Sequence, residues 1–145
     1  MHRRQFVRNS CLVCIGGFAL SGLLESCASS TPINGTLTGE NLIVPIAAFA
    51  SGKSDNSFKS YVIVHHASLQ FPICVYRVAA DQYTALWMRC PHQGAELQVF
   101  GDKLQCPAHG SEFNANGEVN TPPAAENLRT FATRIEGAQL LIVLK

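Results

Sequence analysis

Charge is scarce in this chain and close to balanced: Asp, Glu, Lys and Arg make up 14% of its 145 residues and leave a net +1. Without a basic stripe there is no footprint for a nucleic-acid backbone. No run of like charges forms an acidic tail or a polybasic membrane segment. No segment repeats at a fixed period, which sets aside solenoids and propellers. No apolar run reaches the roughly 20 residues that span a bilayer. Beyond the first thirty residues no long segment keeps a 3.6-residue apolar period, so no major helix is expected. The length suits one domain plus a short extra segment.

Cysteine is not lacking, but its placement argues against a disulfide framework. Cys11, Cys14 and Cys27 lie in the first thirty residues, Cys90 and Cys106 each stand close to a histidine, and only Cys74 remains. The first thirty residues run from a basic start (Arg3, Arg4, Arg8) through an apolar run, Cys11 to Leu24, into small polar residues. That is the layout of an export signal. Arg3-Arg4-Gln5-Phe6-Val7-Arg8 resembles the twin-arginine signal, which exports proteins already folded. Leu24-Glu25-Ser26-Cys27 resembles a bacterial lipobox with an unusual Glu25, making Cys27 a candidate lipidation site. An ordinary cleaved leader and an uncleaved anchor helix are the alternatives. Residues 1–26 are thus expected to be a signal and residues 27–39, polar with Gly and Pro, a tether. Residues 40–145 are expected to form the domain, on the periplasmic face and held at the membrane.

From Asn41 the chain reads as short β-type runs between turn residues. NLIVPIAAF, SYVIVHH, FPICVYRV and TALWMRC are rich in Val, Ile, Tyr, Phe or Trp. Leu97–Phe100 and Lys103–Cys106 flank Gly101-Asp102, a hairpin turn. Glu112–Asn114 and Glu118–Asn120 flank Ala-Asn-Gly, and LRTFATRIEGAQLLIVL holds two strands around Glu136-Gly137. An all-β sandwich or small barrel follows. Cys74 alternates with apolar neighbours and reads as a small buried hydrophobe. Trp87 reads as core, and His65-His66 as a solvated strand end.

Two phrases in this β-framework nearly match. CPHQG and CPAHGS set Cys90 two residues before His92 and, after thirteen residues, Cys106 three before His109. Two thiolates and two imidazoles fit a single tetrahedral zinc. They also fit a two-iron cluster with both sulfur ligands on one iron and both nitrogens on the other. No helix is offered for a zinc-finger histidine pair. Gly94 and Gly110 each follow a histidine, and Pro91 and Pro107 stiffen each loop after its cysteine.

CPHQGA with CPAHGSEF resembles the Rieske iron–sulfur proteins, whose pattern is C-x-H, a spacer, then C-x-x-H followed by G-S. The resemblance is strong from about Thr84 to Thr121 and loose over the remaining strands. It implies a Rieske-type antiparallel β-sandwich or small barrel with a cluster-binding subdomain of two loops. It implies one [2Fe–2S] cluster per chain, Cys90 and Cys106 on an inner iron and His92 and His109 on an outer, exposed one. Ser111 matches the serine whose hydroxyl bonds a bridging sulfide. Ala95 and Ala108 stand where respiratory members pair two cysteines into a clamp. Phe113 stands where those members carry a tyrosine that bonds a ligand sulfur. TPPAAENL, Thr121 to Leu128, stands where the family has a loop covering the cluster.

Such a resemblance implies one-electron transfer and no catalytic residue in the chain itself. Exchanging two thiolates for two neutral imidazoles lifts the potential from about −400 mV into a window of about −150 to +300 mV. Having Ser111 but not the tyrosine points to an intermediate value. Oxidation would also acidify the remaining N–H groups of the two histidines. The leading expectation is an exported, membrane-tethered electron carrier or subunit of a redox complex. Its partner would be a cytochrome, a molybdenum oxidase subunit or a quinol-oxidising cytochrome bc-type complex. The missing clamp and tyrosine weigh against the last. The other classes are a ferredoxin feeding an oxygenase and a zinc-stabilised binding module. An oxygenase itself would need a second, mononuclear iron, for which 145 residues leave no room.

Overall fold

Each β-type run named above carries a strand in the computed structural model, which describes residues 32–52 and 57–145. The strands are β1 Ile33–Asn34, β2 Thr36–Thr38, β3 Asn41–Pro45, β4 Tyr61–His65, β5 Ile73–Ala79 and β6 Gln82–Trp87. They continue with β7 Gln98–Phe100, β8 Lys103–Gln105, β9 Glu112–Asn114, β10 Val119–Thr121, β11 Thr130–Glu136 and β12 Gln139–Val143. The run expected to stay extended through Phe49 instead tightens after Pro45 into a 3-10 turn, Ile46–Phe49. That turn drives Phe49 into full burial, edge-on to Tyr83. The export signal and Cys27 lie outside the described residues. No helix among the described residues is long and apolar enough to cross a membrane.

One sheet has the order β1-β4-β5-β6-β11-β12-β3-β2, and the other β10-β9-β8-β7. The first sheet nearly closes on itself, because its two edge strands are consecutive in the chain and separated only by Gly35. β1 pairs parallel with β4 and β2 pairs antiparallel with β3. Here the expected tether is corrected: residues 33–38 are sheet. The reason is the close passage at Gly35, where a Cβ would lie 2.7 Å from Leu42 Cδ1 and 2.9 Å from Val64 Cγ1. A glycine that reads as a turn in the sequence is a place where only bare backbone fits.

β5 explains how the two sheets share a wall. Its first four residues are all buried, a continuous apolar run of the kind expected when both faces are covered. Ile73 and Val75 face a core with Leu42, Val44, Phe49, Val62, Val64 and Ile142. Cys74 and Tyr76 face the opposite way, into a second core with Leu86, Met88, Cys90, Leu97, Leu104, Cys106 and Phe113. Cys74 is therefore the buried hydrophobe the alternation implied. Burial pushes its thiol up to about 12, partly offset by a hydrogen bond with Tyr76.

Candidate metal centre

The loops after β6 and β8 have the same backbone design. In the first, the Gly94 N–H donates to the Cys90 carbonyl at 2.8 Å and the Cys90 N–H donates to the Ala95 carbonyl at 2.8 Å. In the second, the Gly110 N–H donates to the Cys106 carbonyl at 2.9 Å and the Cys106 N–H to the Ser111 carbonyl at 2.8 Å. Closing such a loop needs a left-handed residue, and Gly94 and Gly110 take φ of +75° and +80°. An L side chain there costs roughly 1–2 kcal/mol. At Gly94 an added Cβ would also meet the Arg89 guanidinium at 3.2 Å.

The hairpin of β7 and β8, with β9 beside it, sets the two loops side by side. Cys90 and Cys106 are 0% and 2% exposed, while His92 and His109 are exposed. The two imidazole rings meet edge to face with centroids 5.0 Å apart. Burial pushes the Cys90 thiol up; the N–H groups of His92 and Gln93, directed at its sulfur, pull the other way, and the adjacent Cys106 thiol raises it further. Backbone donors already aimed at a buried sulfur suit a thiolate whose proton has been replaced by a metal.

A single zinc draws four donors to within about 2.0–2.3 Å of one point. Here the donors form two unlike pairs, thiols within and imidazoles at the surface. That division fits a two-iron cluster with its sulfur and nitrogen ligands segregated. His65 and His66 do not add to it. His65 is exposed, and His66 Nδ1 accepts from the Ser68 N–H at 3.1 Å.

Around the four donors, Ser111 is fully buried and Phe113 packs in the same core as both cysteines. Ala95 is half-buried and Ala108 exposed, and the three cysteines of the described residues are all free, so the loops carry no disulfide clamp. Trp87 is half-buried rather than fully core, its ring flanked by Phe71, Arg89 and Arg129. The Thr121–Leu128 loop folds back over the site's flank. Its Ala124 N–H donates to Ser111 Oγ at 2.9 Å, and its Asn127 side chain accepts from the Val119 N–H at 3.0 Å. These amide contacts have no counterpart in side-chain identity, so the sequence could not reveal them. Only the Pro-rich composition marked the segment.

A model of the Rieske [2Fe-2S] domain matches residues 51–132, more than half of the chain. Methylxanthine N1-demethylase NdmA of Pseudomonas putida is 40% identical over 50 residues, 32% of this chain and 14% of that protein. The oxygenase component of dicamba O-demethylase from Stenotrophomonas maltophilia is 37% identical over 73 residues, 43% of this chain and 22% of that protein. The chain therefore spans less than a quarter of the length of either relative. Among solved structures, the plasma membrane Rieske protein PetC3 of Synechocystis PCC 6803 superposes with a TM-score of 0.51. It is 30% identical, over 58% of this chain and 86% of PetC3. The ferredoxin of carbazole 1,9a-dioxygenase from Nocardioides aromaticivorans, at 16% identity and a TM-score of 0.50, shares the fold over 71% of this chain and 95% of its own. With this match laid over two loops of unlike donors, the chain belongs to the Rieske [2Fe-2S] domain family, which binds a [2Fe–2S] cluster and transfers electrons.

Proposed function

We propose that Cys90 and Cys106 hold one iron and His92 and His109 the other, and that the protein carries single electrons as an exported, membrane-tethered carrier or subunit of a redox complex. The observation that supports this most is the segregation of donors, with both thiols buried and both imidazoles exposed. The cluster would supply a one-electron couple at the surface of the domain. Burial of Cys90 and Cys106 keeps water from the sulfur side. His92 and His109 would present their exposed rings to a docking partner, each with one ring nitrogen not given to iron. Ser111 offers a buried hydroxyl and Phe113 offers none, which favours an intermediate potential.

The leader reading, residues 1–26 with candidate lipidation at Cys27, supports a periplasmic, membrane-associated site of action, as does likeness to a plasma membrane protein. The partner would be a cytochrome or a molybdenum oxidase subunit, with a quinol-oxidising complex less suited for lack of the clamp and tyrosine. A second reading, a ferredoxin serving an oxygenase, draws on the oxygenase components among the relatives. Visible and EPR spectra test the ligation. Purified protein should be coloured and give an EPR signal after dithionite reduction, and His92→Ala or His109→Ala should abolish it; a colourless, EPR-silent protein after iron and sulfide reconstitution would refute it. Fractionation tests the location. The wild type should be in the membrane fraction and Cys27→Ala released from it, whereas a soluble cytoplasmic wild type would favour the ferredoxin reading.

A further inference from the structure

Ser111 is the one fully buried polar side chain in the cores of the described residues. A hydroxyl has one proton to donate and two lone pairs with which to accept. Among the described residues, the one hydrogen bond of the Ser111 hydroxyl is one it accepts, from the Ala124 N–H at 2.9 Å. Its own proton is therefore uncommitted, in a place where an unsatisfied O–H is costly. It lies at the end of the second loop, five residues after Cys106, whose N–H is bonded to the Ser111 carbonyl. Ala124 itself is 3% exposed, at the inner side of the Thr121–Leu128 loop.

Resting on the ligation proposed above, we infer that Ser111 couples the Thr121–Leu128 lid to the redox state of the site: the lid amide of Ala124 is a positioning group that tunes the potential through the Ser111 hydroxyl, and reduction in turn tightens the lid. The physical ground is a two-link chain: the first link, Ala124 N–H to Ser111 Oγ, is in the structure, and the inferred second link would run from the Ser111 O–H to a cluster sulfur. Accepting a hydrogen bond from Ala124 makes the Ser111 O–H a better donor, because hydrogen bonds in series polarise one another. Adding one electron makes sulfur a better acceptor. The O–H bond then strengthens, the hydroxyl oxygen becomes more electron-rich, and it holds the Ala124 amide more firmly. By reciprocity, whatever reduction does for the lid, the closed lid does for reduction.

Hydrogen exchange of the 121–128 peptide, read by mass spectrometry, and redox titration measure the two ends of this coupling. In the wild type the peptide should exchange more slowly after dithionite reduction than in the oxidised protein. Ser111→Ala should exchange about fivefold faster than wild type, the factor that one net hydrogen bond of ordinary strength contributes, with no difference between redox states and a lowered potential. Ser111→Thr, which keeps a hydroxyl, should restore both. Ala124→Pro removes the amide proton while leaving Ser111 in place, and it should lower the potential by less than Ser111→Ala does. Each tenfold of redox-dependent protection corresponds to 59 mV lost in that variant. Coloured wild-type protein whose lid exchange ignores redox state would overturn the coupling alone, as would Ala124→Pro with the wild-type potential. Should Ala124→Pro fail to hold a cluster, the comparison of wild type with Ser111→Ala decides. A colourless wild type would overturn the ligation and the coupling with it.

Discussion

Phe113 shows what a single side chain withholds. It is fully buried in the core that contains Cys90 and Cys106, and it brings no hydroxyl there. Phe113→Tyr is expected to raise the midpoint potential by about 40 mV, if the new O–H bond to sulfur strengthens by about 1 kcal/mol on reduction; redox titration reads it. An unchanged potential would mean that the tyrosine hydroxyl does not reach sulfur in this core. The candidate donors of the proposed ligation stand out in the sequence because chemistry fixes their types and the loops fix their spacing. Cys90, His92, Cys106 and His109 need only two short motifs to be found. The amides of His92, Gln93 and Ala124, which meet the Cys90 sulfur and the Ser111 hydroxyl, were not legible, since every residue except proline carries the same N–H.

Short runs rich in β-branched and aromatic residues between turn residues mark the strands, and that reading places a strand in every named run. It failed at β1 and β2, where two and three residues are too few to show a period and Gly35 imitates a linker. Gly35→Ala is expected to destabilise the domain by about 1–3 kcal/mol, because the methyl group overpacks against Leu42 and Val64; urea unfolding measures it. Between β8, β9 and β10, Glu112 accepts from Lys103 Nζ at 2.7 Å and from Thr121 Oγ1 at 3.4 Å. The Lys103 hydrogen bond holds its carboxyl below the ordinary value. A carboxylate with a lowered folded value stabilises above its unfolded value of about 4.3 and loses that contribution as pH falls through the folded one. The urea midpoint of the wild type should therefore decline more steeply below about pH 4.3 than that of Glu112→Gln. Equal slopes would show that the ion pair adds nothing to the sheet.

On the scale of the molecule, an all-β domain is legible in the sequence, but its division into a nearly closed sheet and a smaller one over a common wall is not. An unbroken apolar segment such as FPICV announces burial without saying that two different cores lie on its two sides. That wall sorts neighbours by parity. Even positions Cys74, Tyr76, Leu86 and Met88 look toward the thiols, and odd positions Ile73, Val75, Tyr83 and Ala85 look away. Cys74→Ala should shift both the melting temperature and the potential, whereas Val75→Ala should shift the melting temperature alone; redox titration beside thermal unfolding separates them. The strand is thus a partition with an electrical side and a mechanical side, and a single step along the chain is enough to cross from one to the other.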